Sequence, residues 1–151
     1  MRMRLFSIVA ALFVCLPVWS PSLSAQTKPK IIPADWLPAL SPSIKSALEQ
    51  LKEANSQSEM NSLSRQVADM TDAQLFIAYV RLYESLSATE RTKLMQEQSE
   101  WLKKRTKAAK DGVESEGGSL APLEASNAEV TYTEKRLAEL RARLKAAGKD
   151  K

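Results

Sequence analysis

The chain has 151 residues, with 22 lysines and arginines against 18 aspartates and glutamates, no histidine and one cysteine, and its formal charge is +4 at pH 7. This length suits one domain with a modest core. Without histidine the chain lacks the commonest general base and the commonest transition-metal ligand. We therefore predict no catalytic residue, no cofactor and no metal site, and hence a protein that is not an enzyme.

The first 25 residues have the pattern of a secretory signal peptide. Arg2 and Arg4 supply a positive start, residues 5–18 are almost wholly apolar, and small residues precede Ala25, after which we predict cleavage. The apolar run is shorter than the roughly 20 residues that cross a bilayer as a helix, which argues against a membrane anchor. Cleavage would remove two arginines and no acid, lowering the formal charge from +4 to +2. The pattern predicts a periplasmic or secreted protein.

The only cysteine, Cys15, lies inside this apolar run. Val14 stands before it, where a lipoprotein signal has a small residue, so we do not expect a lipid anchor. The mature chain then has no cysteine, and its fold must be held by packing alone. The mixed signs of its charges along the helices indicate solvated faces rather than a nucleic-acid site.

Residues 26–41 form a proline-rich arm that precedes the domain. Pro29, Pro33 and Pro38 are too closely spaced for a continuous helix. Trp36 is too apolar for a pure linker, so we expect part of the arm to pack on the domain. We place the domain at residues 42–148 and a short tail at 149–151.

Four amphipathic helices are predicted in the domain. The first begins with Ser41 as N-cap and Pro42 in the first turn, the favoured place for proline. The others cover about residues 59–85, 88–115 and 123–147. Because no segment has the pattern of a strand, we predict an all-α fold, a small antiparallel bundle of about four helices. The expected apolar face of the first helix is Ile44, Ala47, Leu48, Leu51 and Ala54.

The second helix has an apolar pattern that changes phase in its middle. Its two expected stripes are Met60, Leu63, Val67 and Met70, then Leu75, Tyr79, Leu82 and Leu86. The change near Thr71 and Asp72 fits either a helix break capped by Thr71 or a bent continuous helix. We favour the continuous helix.

The third helix opens with a capping box formed by Ser87 and Glu90. Its apolar stripe includes Arg105, which needs a partner because an unpaired buried charge is costly. Glu116 and Glu84 are the candidates, and a structural ion pair is favoured over a ligand-binding arginine. The stripes of the last two helices are Leu94, Gln98, Trp101, Arg105 and Ala108, then Val130, Thr133, Leu137, Leu140 and Leu144.

Several stretches, in order along the chain, resemble one known family. They are Gln57-Ser58-Glu59-Met60-Asn61 with Asp72, Leu75 and Tyr79; Leu94, Gln98, Trp101, Leu102 and Arg105; Glu116-Gly117-Gly118-Ser119-Leu120-Ala121-Pro122-Leu123; and Thr133, Arg136 and Leu140. Each stretch is weakly specific alone, but their order and spacing over about residues 51–144 resemble the LprI-type lysozyme inhibitors. The resemblance implies an exported helical domain that binds a muramidase.

The chain departs from this family at its cysteines. The resemblance implies two disulfides, and all four positions differ here, as expected if the bridges were lost as pairs. Losing a disulfide typically costs about 2–5 kcal/mol, and Leu51 with Leu63 would replace one bridge by apolar contact between helices one and two. Thr106 and Phe76 stand where the family has aspartate and asparagine. The cysteine positions are occupied by Leu51, Leu63, Ala109 and a residue near Asn127.

Three functions are compatible with these observations. The first is inhibition of a lysozyme, although cationic animal-type lysozymes suit a negative inhibitor and this chain is slightly positive. The second is an accessory or chaperone-like module that binds an envelope protein. The third is binding to anionic lipid through Lys103, Lys104 and Lys107, which we disfavour because we expect no apolar side chains beside them. The oligomeric state is left open.

Overall fold

The computed structural model of the protein describes residues 40–115 and 117–148. Four helices make up this part of the chain: α1 (Leu40–Glu53), α2 (Gln57–Ser85), α3 (Ala88–Asp111) and α4 (Ala121–Ala146). The described ranges contain no strand, which confirms the all-α prediction. The predicted signal peptide, nearly all of the proline-rich arm, Glu116 and the tail lie outside the described residues.

Helix α4 is the central element, because it packs along α2 and also on α3. Helix α1 packs on α2, and the hydrogen bond from Gln74 Nε2 to Ser41 Oγ (3.1 Å) places the start of α1 beside the middle of α2. The chain therefore forms a three-helix unit of α2, α3 and α4, with α1 antiparallel to the first half of α2.

The apolar core lies where the second half of α2 meets α3 and the second half of α4. Burial of each large apolar side chain contributes on the order of 1.5–3 kcal/mol, so these residues supply much of the stability of a chain without disulfides. Its buried members are Leu75, Ala78, Leu82, Leu94, Trp101, Leu137, Leu140 and Leu144. Tyr79, Tyr83, Leu86 and Tyr132 pack against them.

Helix α2 is continuous over 29 residues, which confirms the favoured alternative. The predicted change of phase is wrong, however, because the buried residues of its first half are small ones apart from Val67. Val67 is buried as predicted, but Met60, Leu63 and Met70 are only half-buried. Besides Val67 and Val80, six positions of α2 are buried, and they repeat at alternating spacings of four and three, as one straight stripe requires. They are Ser64, Ala68, Thr71, Leu75, Ala78 and Leu82.

Small residues can line this stripe because their hydroxyl groups are satisfied within the helix. Ser64 Oγ donates to the carbonyl of Asn61 (3.0 Å), and Thr71 Oγ1 donates to the carbonyl of Val67 (2.8 Å). Buried polar groups are tolerated when they are hydrogen-bonded. The sequence pattern was misleading because it followed the large residues, whereas the small residues form the buried stripe.

Serine residues cap the starts of α3 and α2, whereas the start of α1 and the end of α3 differ from the predicted bounds. The capping box that opens α3 is present, with both reciprocal bonds between Ser87 and Glu90. Ser56, which the sequence analysis did not single out, caps α2 by accepting from the amide of Glu59 (3.2 Å). Helix α1 begins at Leu40, so Ser41 lies in its first turn rather than at the N-cap. Helix α3 ends at Asp111 rather than near residue 115.

The predicted apolar face of α1 is correct only in part. Ala47 and Ala54 are buried, and Ile44 and Leu51 are half-buried. Leu48 is 41% exposed, so its predicted place on the buried face is wrong. Among the described residues, α1 packs mainly on α2, so one side of this short helix is covered there.

The end of α3 approaches α4 at Gly112. A Cβ atom placed on Gly112 would lie 2.6 Å from Ala128 Cβ, well inside ordinary van der Waals contact. Gly112 has φ −84°, a conformation that alanine adopts freely. Glycine is needed here for the close approach of the two helices and not for its backbone freedom.

We predict that Gly112→Ala destabilises the protein. Replacing glycine at a compatible backbone position gains about 0.4–1 kcal/mol, whereas overpacking costs about 1–3 kcal/mol, so the contact with Ala128 decides the sign. Urea unfolding should show a net loss of about 1–2 kcal/mol.

Ala128→Gly is the matched control for this substitution. Alone it should cost about 1 kcal/mol as glycine within a helix, but in the Gly112→Ala background it should cost less, because it removes the clash. Strictly additive free energies of unfolding would show that the two residues are not in contact.

Candidate functional site

Arg105 connects three helices at the centre of the molecule. Its Nη1 atom donates to Asp72 Oδ1 on α2 (2.6 Å) and lies 3.5 Å from Thr133 Oγ1 on α4. Thr133 Oγ1 in turn donates to Asp72 Oδ1 (3.3 Å). The guanidinium also sits over the Trp101 ring, with Arg105 Cζ 5.4 Å from the ring centroid, a cation–π geometry.

The partner of Arg105 is therefore Asp72, and the two acids proposed from the sequence did not include it. Asp72 was singled out only for the family resemblance. Of the two candidates, Glu116 lies outside the described residues, and Glu84 lies on α2 about three turns beyond Asp72. Asp72 was not proposed as the partner of Arg105 because the apparent change of phase in α2 falls at this residue. The sequence therefore did not show which face of α2 carries its side chain.

A second charged group lies about one helical turn further along α4. Arg136 is buried, and its Nε and Nη1 donate to Gln98 Oε1 (3.3 Å) and Glu139 Oε2 (3.0 Å). Arg136 Nη2 lies 3.6 Å from Glu97 Oε2 and makes no hydrogen bond within the described part of the chain. Arg143 Nη1 donates to the same Glu97 oxygen (2.7 Å).

These two arginines control the ionisation of Glu97. Burial raises the pKa of this carboxyl, but the hydrogen bond from Arg143 and the charges of Arg143 and Arg136 outweigh burial, so the net pKa is lowered. Glu97 therefore stays ionised and holds α3 against two arginines of α4. From the sequence, Glu97 and Glu100 form an i,i+3 carboxylate pair on a lysine-rich helix, which predicts two surface charges. For Glu97 this prediction is wrong, because its half-buried carboxylate is bound by arginines of α4.

Aromatic rings surround these charges. Trp101 of α3 stacks on Tyr132 of α4, with centroids 5.9 Å apart, and Tyr79 stacks on Tyr83 within α2 (6.3 Å). Burial raises the pKa of the Tyr79 hydroxyl, and neighbouring Tyr83 raises it further against the opposing effect of Arg136. Arg91 covers the Tyr83 ring at 4.9 Å and donates from Nε to the Tyr83 carbonyl (2.9 Å).

The remaining motif residues meet at the other end of α2. Asn61 Nδ2 donates to the carbonyl of Ser119 (3.0 Å), and Asn61 Oδ1 accepts from Gln57 Nε2 (2.9 Å). Met60, beside Asn61, is half-buried. The connection before α4 turns at Gly117, whose φ of +71° is left-handed and favours glycine. Gly118 donates its amide to the carbonyl of Ser115 (2.9 Å).

Glu124, which the sequence analysis missed, ties the same connection to α4. One of its carboxylate oxygens accepts from the amides of Glu114 and Ser115 (3.0 Å each) and from Ser115 Oγ (2.7 Å). The bonds from the Ser115 amide and hydroxyl lower the pKa of Glu124, with a further contribution from the Glu114 amide. The signal available in the sequence was an acid in the first turn of a helix, where negative charge is favoured.

The motif residues thus form two structural groups rather than one cleft. Asp72, Leu75, Tyr79, Gln98, Trp101, Arg105, Thr133 and Arg136 join α2, α3 and α4, whereas Asn61, Gly117 and Gly118 fix the connection between α3 and α4. The polar side chains of each group form hydrogen bonds with one another. Within residues 40–115 and 117–148, no three side chains of the metal-ligating types are grouped as an ion would require.

The outer surface carries large apolar side chains that the sequence analysis did not place there. Phe76 on α2 is 61% exposed, and Met95 and Leu102 on α3 are 54% and 47% exposed. The expectation that the lysines of α3 lack apolar neighbours is therefore wrong, because Leu102 precedes Lys103 directly. No helix of the described ranges is long and apolar enough to cross a membrane.

We predict that Asp72 and Arg105 are energetically coupled. Asp72→Asn or Arg105→Met should each cost about 1–3 kcal/mol in urea unfolding, as for hydrogen bonds to charged groups. The double variant should cost clearly less than the sum. The exposed pair Lys107 and Asp111 is the control, and its removal should change stability by less than about 0.5 kcal/mol. Additive losses for Asp72 and Arg105 would contradict the prediction.

The lowered pKa of Glu97 predicts a specific dependence of stability on pH. Ionised Glu97 stabilises the folded state above its unfolded pKa of about 4.3, and this contribution is lost as pH falls through the lower folded pKa. The difference in free energy of unfolding between the natural protein and Glu97→Gln should therefore be largest near neutral pH and shrink below about pH 4. Glu100→Gln, at an exposed position of α3, is the control. A difference that does not change with pH would refute the assignment.

Comparison with known proteins identifies the family. The model of the family "Lysozyme inhibitor LprI" matches residues 48–140, which is more than half of the chain and includes every motif residue named above. No curated protein and no solved structure matches the chain. The match begins within α1 and ends within α4, so it covers both structural groups, and the chain belongs to the LprI lysozyme inhibitor family.

Proposed function

We propose that this protein is exported and acts in the periplasm or outside the cell by binding and inhibiting a muramidase. The observation that carries the proposal is the family match across residues 48–140. It is supported by the structure of the motif, whose side chains link three helices instead of lining a catalytic cleft. A protein of this kind acts through its surface.

The loss of the family cysteines is compatible with a retained fold. Ala109 is buried near the end of α3, and the next turn of that helix makes the close approach of Gly112 to Ala128 on α4. Leu51 and Leu63, at the positions of the other implied bridge, are both half-buried. The helices that the bridges would join are thus held by packing, and we infer that the binding surface is still presented.

An accessory module that binds another envelope protein is the second candidate. The formal charge favours it, because the chain is positive and a strongly cationic lysozyme would be repelled during encounter. The two candidates differ in one direct respect: only the first slows the lysis of a cell wall.

The test is the clearing of a cell-wall suspension by a muramidase with and without the purified mature protein. We expect slower clearing in the presence of the protein, to a degree that rises with its concentration and saturates. Heat-unfolded protein is the control for unspecific effects. Unchanged clearing with a panel of muramidases of different surface charge would reject inhibition and favour the accessory module.

A further inference from the structure

We propose that the muramidase-binding surface is the α2–α3 face, defined by Phe76, Met95, Leu102, Lys103 and Lys110, and that its partner is a negatively charged surface with an apolar centre. This inference rests on the proposed function and names the surface that performs it. The acidic substrate cleft of a muramidase has this chemistry.

Exposed apolar side chains are concentrated on α2 and α3. Three of the five large hydrophobic residues most exposed in the described part of the chain, Phe76, Met95 and Leu102, belong to α2 and α3. Single exposed apolar residues need no explanation, but a group of them marks an interaction site. Each of the three is about half exposed or more, so a partner can reach it without rearrangement of the fold.

The register of α2 against α3 places Phe76 and Leu102 at the same level of the molecule. Arg105 bonds Asp72, and Arg91 bonds the carbonyl of Tyr83, so α2 and α3 run antiparallel and are joined by long side chains of α3. Phe76 lies one turn beyond Asp72 on α2, and Leu102 lies one turn before Arg105 on α3. Phe76 and Leu102 therefore lie at the same height along the helix axes, one on each helix.

Met95 extends this apolar strip along α3. It lies seven residues, or two turns, before Leu102 and hence on the same side of the helix, about 10 Å away. Glu97, which accepts from Arg143 of α4, lies five residues before Leu102 and hence about 140° away around α3, so α4 packs on a different side of α3 from the strip. The strip therefore belongs to the outer side of the α2–α3 pair, where no described helix covers it.

Positively charged side chains of α3 border the apolar strip. Lys103 and Lys110 are exposed on α3, two turns apart, next to the strip, and neither forms an ion pair within residues 40–115 and 117–148. Two neighbouring cations of α3 are paired, Arg105 with Asp72 and Lys107 with Asp111. Among the exposed α3 side chains without an ion pair in the described part of the chain, Lys103, Lys104 and Lys110 outnumber Glu100. The net unpaired charge beside the strip is therefore positive, and it complements an acidic partner.

A muramidase supplies such a partner surface through its own chemistry. Glycosidases generally cleave with a pair of carboxyl groups that flank the scissile bond, so the cleft carries negative charge beside the apolar surface that binds the sugar rings. An apolar strip edged by two lysines can cover this cleft and exclude the substrate. The face thus accounts for inhibition by a protein whose overall charge is positive.

The experiment measures the affinity of the mature protein for two probes, a muramidase with an acidic surface and a cationic animal-type lysozyme, together with inhibition in the clearing assay. We expect tighter binding to the acidic enzyme, weakened by salt. Phe76→Ala with Leu102→Ala should weaken binding by at least about tenfold. Lys103→Glu with Lys110→Glu should weaken it comparably and remove the salt dependence.

Leu48→Ala with Lys45→Glu is the matched control. It makes the same kinds of change on exposed positions of α1 and should leave affinity unchanged.

The outcomes separate the two proposals. Inhibition that persists in both face variants, or a preference for the cationic enzyme, overturns the assignment of the face and leaves the proposed function standing. No inhibition of either enzyme by the natural protein overturns the proposed function and this inference with it. Co-sedimentation with anionic lipid vesicles that is lost in the face variants, while muramidase binding is kept, overturns the inference in favour of a membrane surface. Because all substituted side chains are exposed, melting temperatures should not change, which excludes unfolding as the cause.

Discussion

The charge of Arg105 is the constraint around which the domain is organised. A guanidinium that is largely removed from water requires an acid and further acceptors, and here they come from two other helices, Asp72 on α2 and Thr133 on α4. The three groups can meet only when α2, α3 and α4 are aligned in one particular register along their axes. Replacing such a pair by apolar residues is often neutral for stability, so we infer that its main contribution is to select one arrangement of three helices in a chain without disulfides.

The small residues of α2 make this arrangement possible. Ser64, Ala68 and Thr71 are buried towards the rest of the molecule and let α2 and α4 approach closely along the first half of α2. At the same end of α4, Gly112 plays the same part for α3. Close backbone approach at both places brings α4 between its neighbours, and the large side chains of the core fill the wider space near Leu82, Leu94 and Leu140. Packing density rather than covalent bridging holds the helices together.

The sequence predicted the number and the approximate bounds of the helices, the capping box at Ser87 and the burial of Trp101, because each depends on local spacing. It did not predict the partner of Arg105 or most of the buried stripe in the first half of α2. Hydrophobic periodicity follows large apolar residues and passes over serine and threonine as core residues, so α2 was given a false change of phase. Burial of Arg136 and the bonds of Glu97 depend on two helices at once, and no pattern within one helix contains that information.

The division between interior and surface explains how this fold can be kept while the residues of the outer surface change. The motif side chains are engaged with one another inside the domain, so their identity is fixed by the register of the helices and leaves the outer side free to vary. Phe76 illustrates this freedom: it lies one turn from Asp72, at a position where the family resemblance implies asparagine, and yet it is exposed. A large aromatic ring in water contributes little to folding, since it buries little surface. Its exposure at the level of Leu102 is therefore better explained by a contact with a partner than by the stability of the domain.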